Sequence, residues 1–103
     1  MRIKITSIKQ FEPKDIIGKD LMRGNGKKIE KCDYGKEGKE YLLDESGNMP
    51  KGFCHHAWFG LYKNISVLRN GGNFSEWTGE NLIYTACPDG IRPVIFKIER
   101  IND

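Results

Sequence analysis

The sequence predicts an α+β fold: a small, mainly antiparallel sheet of about four strands with one main amphipathic helix packed on it. Three observations lead there. Segments with an apolar residue at every second position lie near both ends of the chain, over 2–10 and 93–100. Between them, from Phe53 to about Arg69, the period becomes helical, with Cys54, Trp58, Leu61, Ile65 and Leu68 on one stripe. No internal repeat and no domain linker separates these segments, so the 103 residues read as one domain, 1–103.

The elements follow in order. In Arg2 to Gln10, Ile3 and Ile5 share one face while Arg2, Lys4 and Thr6 take the other, the pattern of a half-buried strand. After Pro13, residues Asp15 to Met22 predict a short helix weakened by Gly18. Gly24-Asn25-Gly26 predicts a turn. Lys39 to Asp44, centred on Tyr41-Leu42-Leu43, predicts a second strand, and the polar run 45–52 a loop. The helix that follows should stop at Gly71-Gly72. Residues 73–81 predict a loop folded back as a lid through Phe74 and Trp77. Leu82 to Cys87 and Pro93 to Arg100 predict two more strands around the turn Pro88-Asp89-Gly90. Trp58, Leu61, Ile65, Leu68, Val94, Phe96 and Ile98 are the expected core between helix and sheet.

Composition narrows the function classes. With 38% hydrophobic and 30% charged residues the chain is an ordinary small globular protein, able to bury a modest core. No apolar run approaches the ~20 residues that span a bilayer, so no membrane role is expected. The first five residues alternate isoleucine with charge, unlike a secretory signal, which predicts a cytoplasmic protein with reduced thiols. The net charge of +3 is uneven: residues 1–31 hold nine Lys/Arg against four Asp/Glu. No aromatic-interleaved RNA signature and no helix-turn-helix pattern accompanies that basic third, so it reads as a solvated lysine face and nucleic acid is not an expected partner.

The chemistry rests on Cys32, Cys54 and Cys87. An odd number of thiols cannot all pair within one chain, so a plain disulfide framework is not expected. Three thiols from three separate elements can instead share a metal, a cluster or a reactive pocket. Cys54 sits in the first turn of the predicted helix, where unpaired N–H groups and the positive dipole end favour a thiolate, whereas its place on the apolar stripe opposes one. His55, beside the Cys54 face, is the better placed of the two neighbouring histidines to be a fourth ligand; His56 points nearly opposite. The spacing is unlike a zinc knuckle, because Cys54 follows Cys32 by 22 residues and Cys87 follows Cys54 by 33. Asp33 and Asp89 lie next to cysteines, and the turn alone accounts for Asp89. Buried cysteine also packs as a small hydrophobe, so a purely structural role is the bland alternative.

These residues also carry a resemblance. Cys32…Gly35…Gly38-Lys39-Glu40-Tyr41, Gly52-Phe53-Cys54-x-x-Ala57-Trp58, Leu68-Arg69-x-Gly71-Gly72-Asn73-Phe74 and Cys87-Pro88-Asp89-Gly90-x-Arg92-Pro93-Val94 together resemble a family of small conserved hypothetical proteins. That family belongs mainly to anaerobic bacteria and archaea, is written around three cysteines and has no established activity. The resemblance covers about Ile29 to Ile101. It implies that the three cysteines act as a set, and an anaerobic setting suits an oxygen-sensitive cluster or reactive thiols. Neither histidine inherits a role from it.

Three functions are therefore expected in competition. The first is a metal-binding protein holding zinc or an iron–sulfur cluster through Cys32, Cys54 and Cys87. The second is a thiol-based redox enzyme with Cys54 as nucleophile and another cysteine resolving it. The third is a non-catalytic interaction module, a possible homo-oligomer, whose cysteines are core residues. No Ser-His-Asp arrangement, P-loop or Gly-x-Gly-x-x-Gly motif is present.

Overall fold

The computed structural model describes residues 2–102 and has an α+β architecture. In chain order the elements are β1 (Arg2–Gln10), α1 (Pro13–Ile17), β2 (Glu40–Leu42), α2 (His55–Arg69), β3 (Leu82–Ala86) and β4 (Val94–Ile101). The strands form one antiparallel sheet in the order β2-β1-β4-β3. The first and last strands of the chain are thus the two central ones. They pair from Arg2 opposite Ile101 to Gln10 opposite Val94, with an irregularity between Ser7 and Lys9.

Alternation places Ile3, Ile5 and Ser7 of β1 and Val94, Phe96 and Ile98 of β4 on the same buried face. Helix α2 lays Ala57, Leu61, Ile65 and Leu68 against that face. Leu61 and Ile65 are fully buried, and so are Ile5 and Ile98 opposite them. The other face is mixed, with Leu42 and Tyr84 exposed among charged residues. Lys4 Nζ lies 3.2 Å from Glu40 and 3.4 Å from Glu99, and Lys97 lies 3.6 Å from Glu99. No helix among the described residues is long and apolar enough to cross a membrane.

The helix face differs from expectation by one position. Ala57, not Trp58, supplies the buried residue at that level, and Trp58 is only half-buried against the core. The reason lies at the helix start: Cys54 is the N-cap with extended backbone (φ −69°, ψ 123°), so the helical period begins at His55. A small residue also lets α2 approach the sheet closely, while the indole leans on Phe53 and Tyr62 at ring separations of 6.1 and 5.8 Å.

Shorter elements also depart from the sequence pattern. Helix α1 ends at Gly18, whose left-handed φ of 81° closes it, and Leu21 and Met22 instead enter a tight turn bridged from Met22 to Lys28. Strand β2 keeps only three residues of the expected six. In the loop after α2, Phe74 packs against the core but Trp77 is 82% exposed, so the expected lid involves only one of its two aromatics.

That loop is held by a group the pattern did not reveal. Arg100, on β4, donates from Nη1 to the carbonyl oxygens of Leu68 at 2.6 Å and Gly72 at 2.8 Å. Its Nη2 reaches the side-chain oxygens of Asn73 at 2.6 Å and Asn81 at 2.7 Å. One guanidinium therefore satisfies the C-terminal carbonyl region of α2 and ties the following loop to the central strand.

Two substitutions test this packing. Leu61→Ala should cost about 2–5 kcal/mol in denaturant unfolding, whereas Phe59→Ala, on the opposite side of the same helix, should stay within about 0.5 kcal/mol. Arg100→Met should cost about 2–4 kcal/mol, because it removes charge-assisted hydrogen bonds and leaves their acceptors unmatched. Arg100→Lys should restore only part of the loss, since an ammonium cannot span the same fork. A loss under about 0.5 kcal/mol for Arg100→Met would show the clamp to be ornamental.

Candidate functional site

The three cysteines come from three separate loops at one end of the sheet. Cys32 lies in the segment before β2 and is half-buried. Its position is set by β1: the Gln10 side chain donates to the carbonyl of Cys32 at 2.6 Å and to that of Tyr34 at 3.1 Å. Next along, the Ser7 hydroxyl donates to the carbonyl of Gly35. Gly35 has φ 62°, and a Cβ there would stand 3.2 Å from the Phe96 ring and 3.3 Å from Val94. Only glycine meets both the left-handed backbone and this close approach without displacing a neighbour.

Cys54 is the N-cap of α2. Its carbonyl accepts the Trp58 N–H at 2.9 Å, starting the helical ladder, but its side chain makes no capping hydrogen bond. The thiol is half-buried and free. The first turn of α2 contains no acidic residue, so no carboxylate complements the positive end of the helix dipole there.

Cys87 is buried immediately after β3. It is held twice by Val94: its N–H donates to the Val94 carbonyl at 3.0 Å, and its Sγ accepts the Val94 N–H at 3.3 Å. Pro88 packs against Gly60 in the middle of α2, where a Cβ would meet the proline ring at 2.7 Å. A mid-helix glycine costs helix stability, and here it makes room for the Cys87 loop.

Cys32, Cys54 and Cys87 all border one cavity of about 340 Å³, and Cys32 also borders the polar groove beside it. Tyr41, Phe53 and Phe96 form an aromatic wall, with centroids 4.8 Å apart for Tyr41–Phe53 and 5.6 Å for Phe53–Phe96. His56, Asp89 and Arg92 supply the charged and titratable border. The cysteines are free and share this space, yet among the described residues no three His, Cys, Asp or Glu are grouped closely enough to hold a metal ion.

The polar border is built by the turn after Cys87. Asp89 Oδ1 accepts the N–H groups of Ile91 at 3.1 Å and Arg92 at 3.2 Å, and Oδ2 accepts Arg92 Nε at 3.1 Å. Arg92 Nη1 donates in turn to the Glu30 carbonyl at 3.4 Å, linking the Cys87 turn to the segment that leads into Cys32. Partial burial pushes the Asp89 carboxyl up, but the two backbone N–H groups and the Arg92 guanidinium outweigh it and hold the carboxyl below its ordinary value.

The neighbouring residues sort differently from the sequence reading. His56, not His55, borders the cavity, because the helical count starts after Cys54 and places His56 beside buried Ala57. Asp33 faces a polar groove shared with Glu12 and Lys28, away from the aromatic wall. Asp89 does organise its turn, and it also fixes Arg92 at the cavity. Sequence reasoning missed Arg92, although its spacing of three from Asp89 across a Gly-containing turn is a usable signal. No protein-family model, curated protein or solved structure matches the chain.

The depressed Asp89 carboxyl gives a pH-dependent contribution with a definite sign. A group whose folded value lies below its unfolded value adds stability above the unfolded value, and loses it as pH falls through the folded one. Asp89→Asn should therefore lower the denaturation midpoint near neutrality and leave it closer to wild type at about pH 3. An equal loss at both pH values would mean that the hydrogen bonds act through geometry and not through charge.

Proposed function

We propose that the cavity houses an iron–sulfur cluster held by the thiolates of Cys32, Cys54 and Cys87. One observation carries this reading: three free cysteines from three loops border a single aromatic-walled cavity. A cluster binds its thiolates through different iron atoms, so its sulfurs stand apart around a volume. A lone zinc ion instead needs every donor about 2.0–2.3 Å from one point, which the spread of these side chains does not favour.

Two local features support the choice. The Val94 N–H directed at Cys87 Sγ is the kind of hydrogen bond that tunes cluster thiolates. Cys54 at the N-cap would give the acid-free first turn of α2 the negative charge its dipole favours. The aromatic wall limits water around the site. Three cysteines leave one iron without a protein thiolate, with His56 and Arg92 on the cavity border available to whatever binds there. The bound group would supply electron-transfer or Lewis-acid chemistry; the chain positions it, shields it and supplies the polar border.

A second reading rests on Cys54 alone: a half-buried thiol at a helix start with no side-chain partner, suited to nucleophilic thiol chemistry. One preparation separates the two. Protein purified without oxygen and reconstituted with ferrous iron and sulfide should show broad visible absorption, with iron and sulfide bound together. Cys32→Ser, Cys54→Ser and Cys87→Ser should each strip the colour and lower the melting temperature gain from loading. A colourless protein whose Cys54 is alkylated much faster than the other two thiols, and whose Cys54→Ala variant keeps full stability, would replace the cluster with thiol chemistry. Zinc bound without iron would overturn both.

A further inference from the structure

We propose that the cysteine-bordered cavity takes a small organic carboxylate, with its charge on Arg92 and a flat apolar body against the aromatic wall. The inference rests on the reading of this cavity as the functional site and names what its polar side receives. Arg92 borders the cavity with a side chain only 25% exposed. Two of its three guanidinium nitrogens are committed: Nε to Asp89 Oδ2 at 3.1 Å and Nη1 to the Glu30 carbonyl at 3.4 Å. Those anchors come from two different loops and fix the plane of the fork. Nη2 has no hydrogen-bond partner among the described residues. A planar cation held in place with one nitrogen left over is a ready donor for a carboxylate oxygen. His56, on the same border, brings a second ring-nitrogen donor.

Charge and shape select the ligand class. Among the described residues, Asp89 is the only carboxylate on the cavity border, and both its oxygens are engaged by the Ile91 and Arg92 N–H groups and by Arg92 Nε. A cation therefore finds no free acid here. A phosphate group brings about two charges and three strong acceptor oxygens, whereas the Arg92–Asp89 pair is neutral as a unit and leaves one nitrogen over. A monoanion matches that supply. The rest of the wall is apolar: the Tyr41 and Phe53 rings stand edge to face at 4.8 Å, and Phe96 lies tilted to Phe53 at 5.6 Å. Such a wall receives a flat apolar body. Because the volume of about 340 Å³ also has to admit the proposed cluster, the acid is small, of the size of benzoate.

Benzoate is the probe, with benzamide as its neutral isostere, acetate as the acid without a ring and inorganic phosphate as the more highly charged anion. Each is titrated by calorimetry into the full chain, with and without reconstituted iron and sulfide. Benzoate should bind at least about tenfold tighter than any of the other three. Arg92→Lys keeps the charge but not the fork, and should weaken benzoate about tenfold at unchanged iron and sulfide content. Should that variant fail to fold, the comparison of benzoate with benzamide on the natural chain decides alone. Equal affinity for benzamide, tighter binding of phosphate, or no binding of benzoate would overturn the proposal; a loaded protein that ignores benzoate does so while leaving the cluster standing. Benzoate bound only in the absence of iron would overturn it too, because acid and cluster would then exclude each other. Benzoate binding that depends on Arg92, by a chain that takes up neither iron nor sulfide, would remove the cluster and keep the carboxylate site.

Discussion

The pairing of β1 with β4 is the constraint on which the rest of the molecule depends. Among the described residues these are the only strands with a neighbour on each side, and theirs is the longest pairing in the sheet. Their register decides which side chains share the buried face. A slip by one residue would send Ile3 and Ile5 outward and bring Lys4 and Thr6 against α2. The apolar stripe of α2 has no other surface on which to lie, so the helix is positioned by that register and not the reverse.

The two ends of this central pair do different work. At the end near Arg100, one guanidinium satisfies the close of α2 and anchors the loop that leads into β3. At the end near Val94 and Gln10, polar groups of the strands hold the cysteine loops: Gln10 fixes Cys32, Ser7 fixes Gly35 and Val94 fixes Cys87. The irregularity between Ser7 and Lys9 falls at this second end, where the sheet gives way to the site. The clamp on α2 at one end and the cysteine-bordered cavity at the other are thus carried by the same two strands.

What the sequence disclosed follows from which signals are local. Period-2 alternation marked β1 and β4, and helical period marked α2, because each is written within about ten residues. The helix stripe was right at Leu61, Ile65 and Leu68 and failed only at its start, because Cys54 belongs to the stripe in sequence but to the cap in backbone conformation, so Ala57 is the buried residue of the first turn and His56 the histidine on the cavity border. Arg100 and Gln10 were invisible because their partners lie 19 to 32 residues away and are mostly backbone carbonyls, which leave no mark on residue type. The cavity was inaccessible in the same way: spacing brings three cysteines to notice, but only the turns at Gly35 and Pro88 and the cap at Cys54 bring them to one place.

The order of β1 and β4 in the chain has a consequence for biosynthesis. The centre of the sheet joins the first element to the last of the described elements. A chain emerging from the ribosome cannot form that pair until β4 is made, so β1 waits and α2 has no complete floor to settle on. During this interval Cys32, Cys54 and Cys87 exist on an unfinished scaffold, with Cys87 still lacking the Val94 amide that will hold its sulfur. A cluster of the kind proposed would therefore be inserted only after synthesis of the sheet. Until then the protein depends on its surroundings, and not on its own fold, to keep three thiols from oxidation.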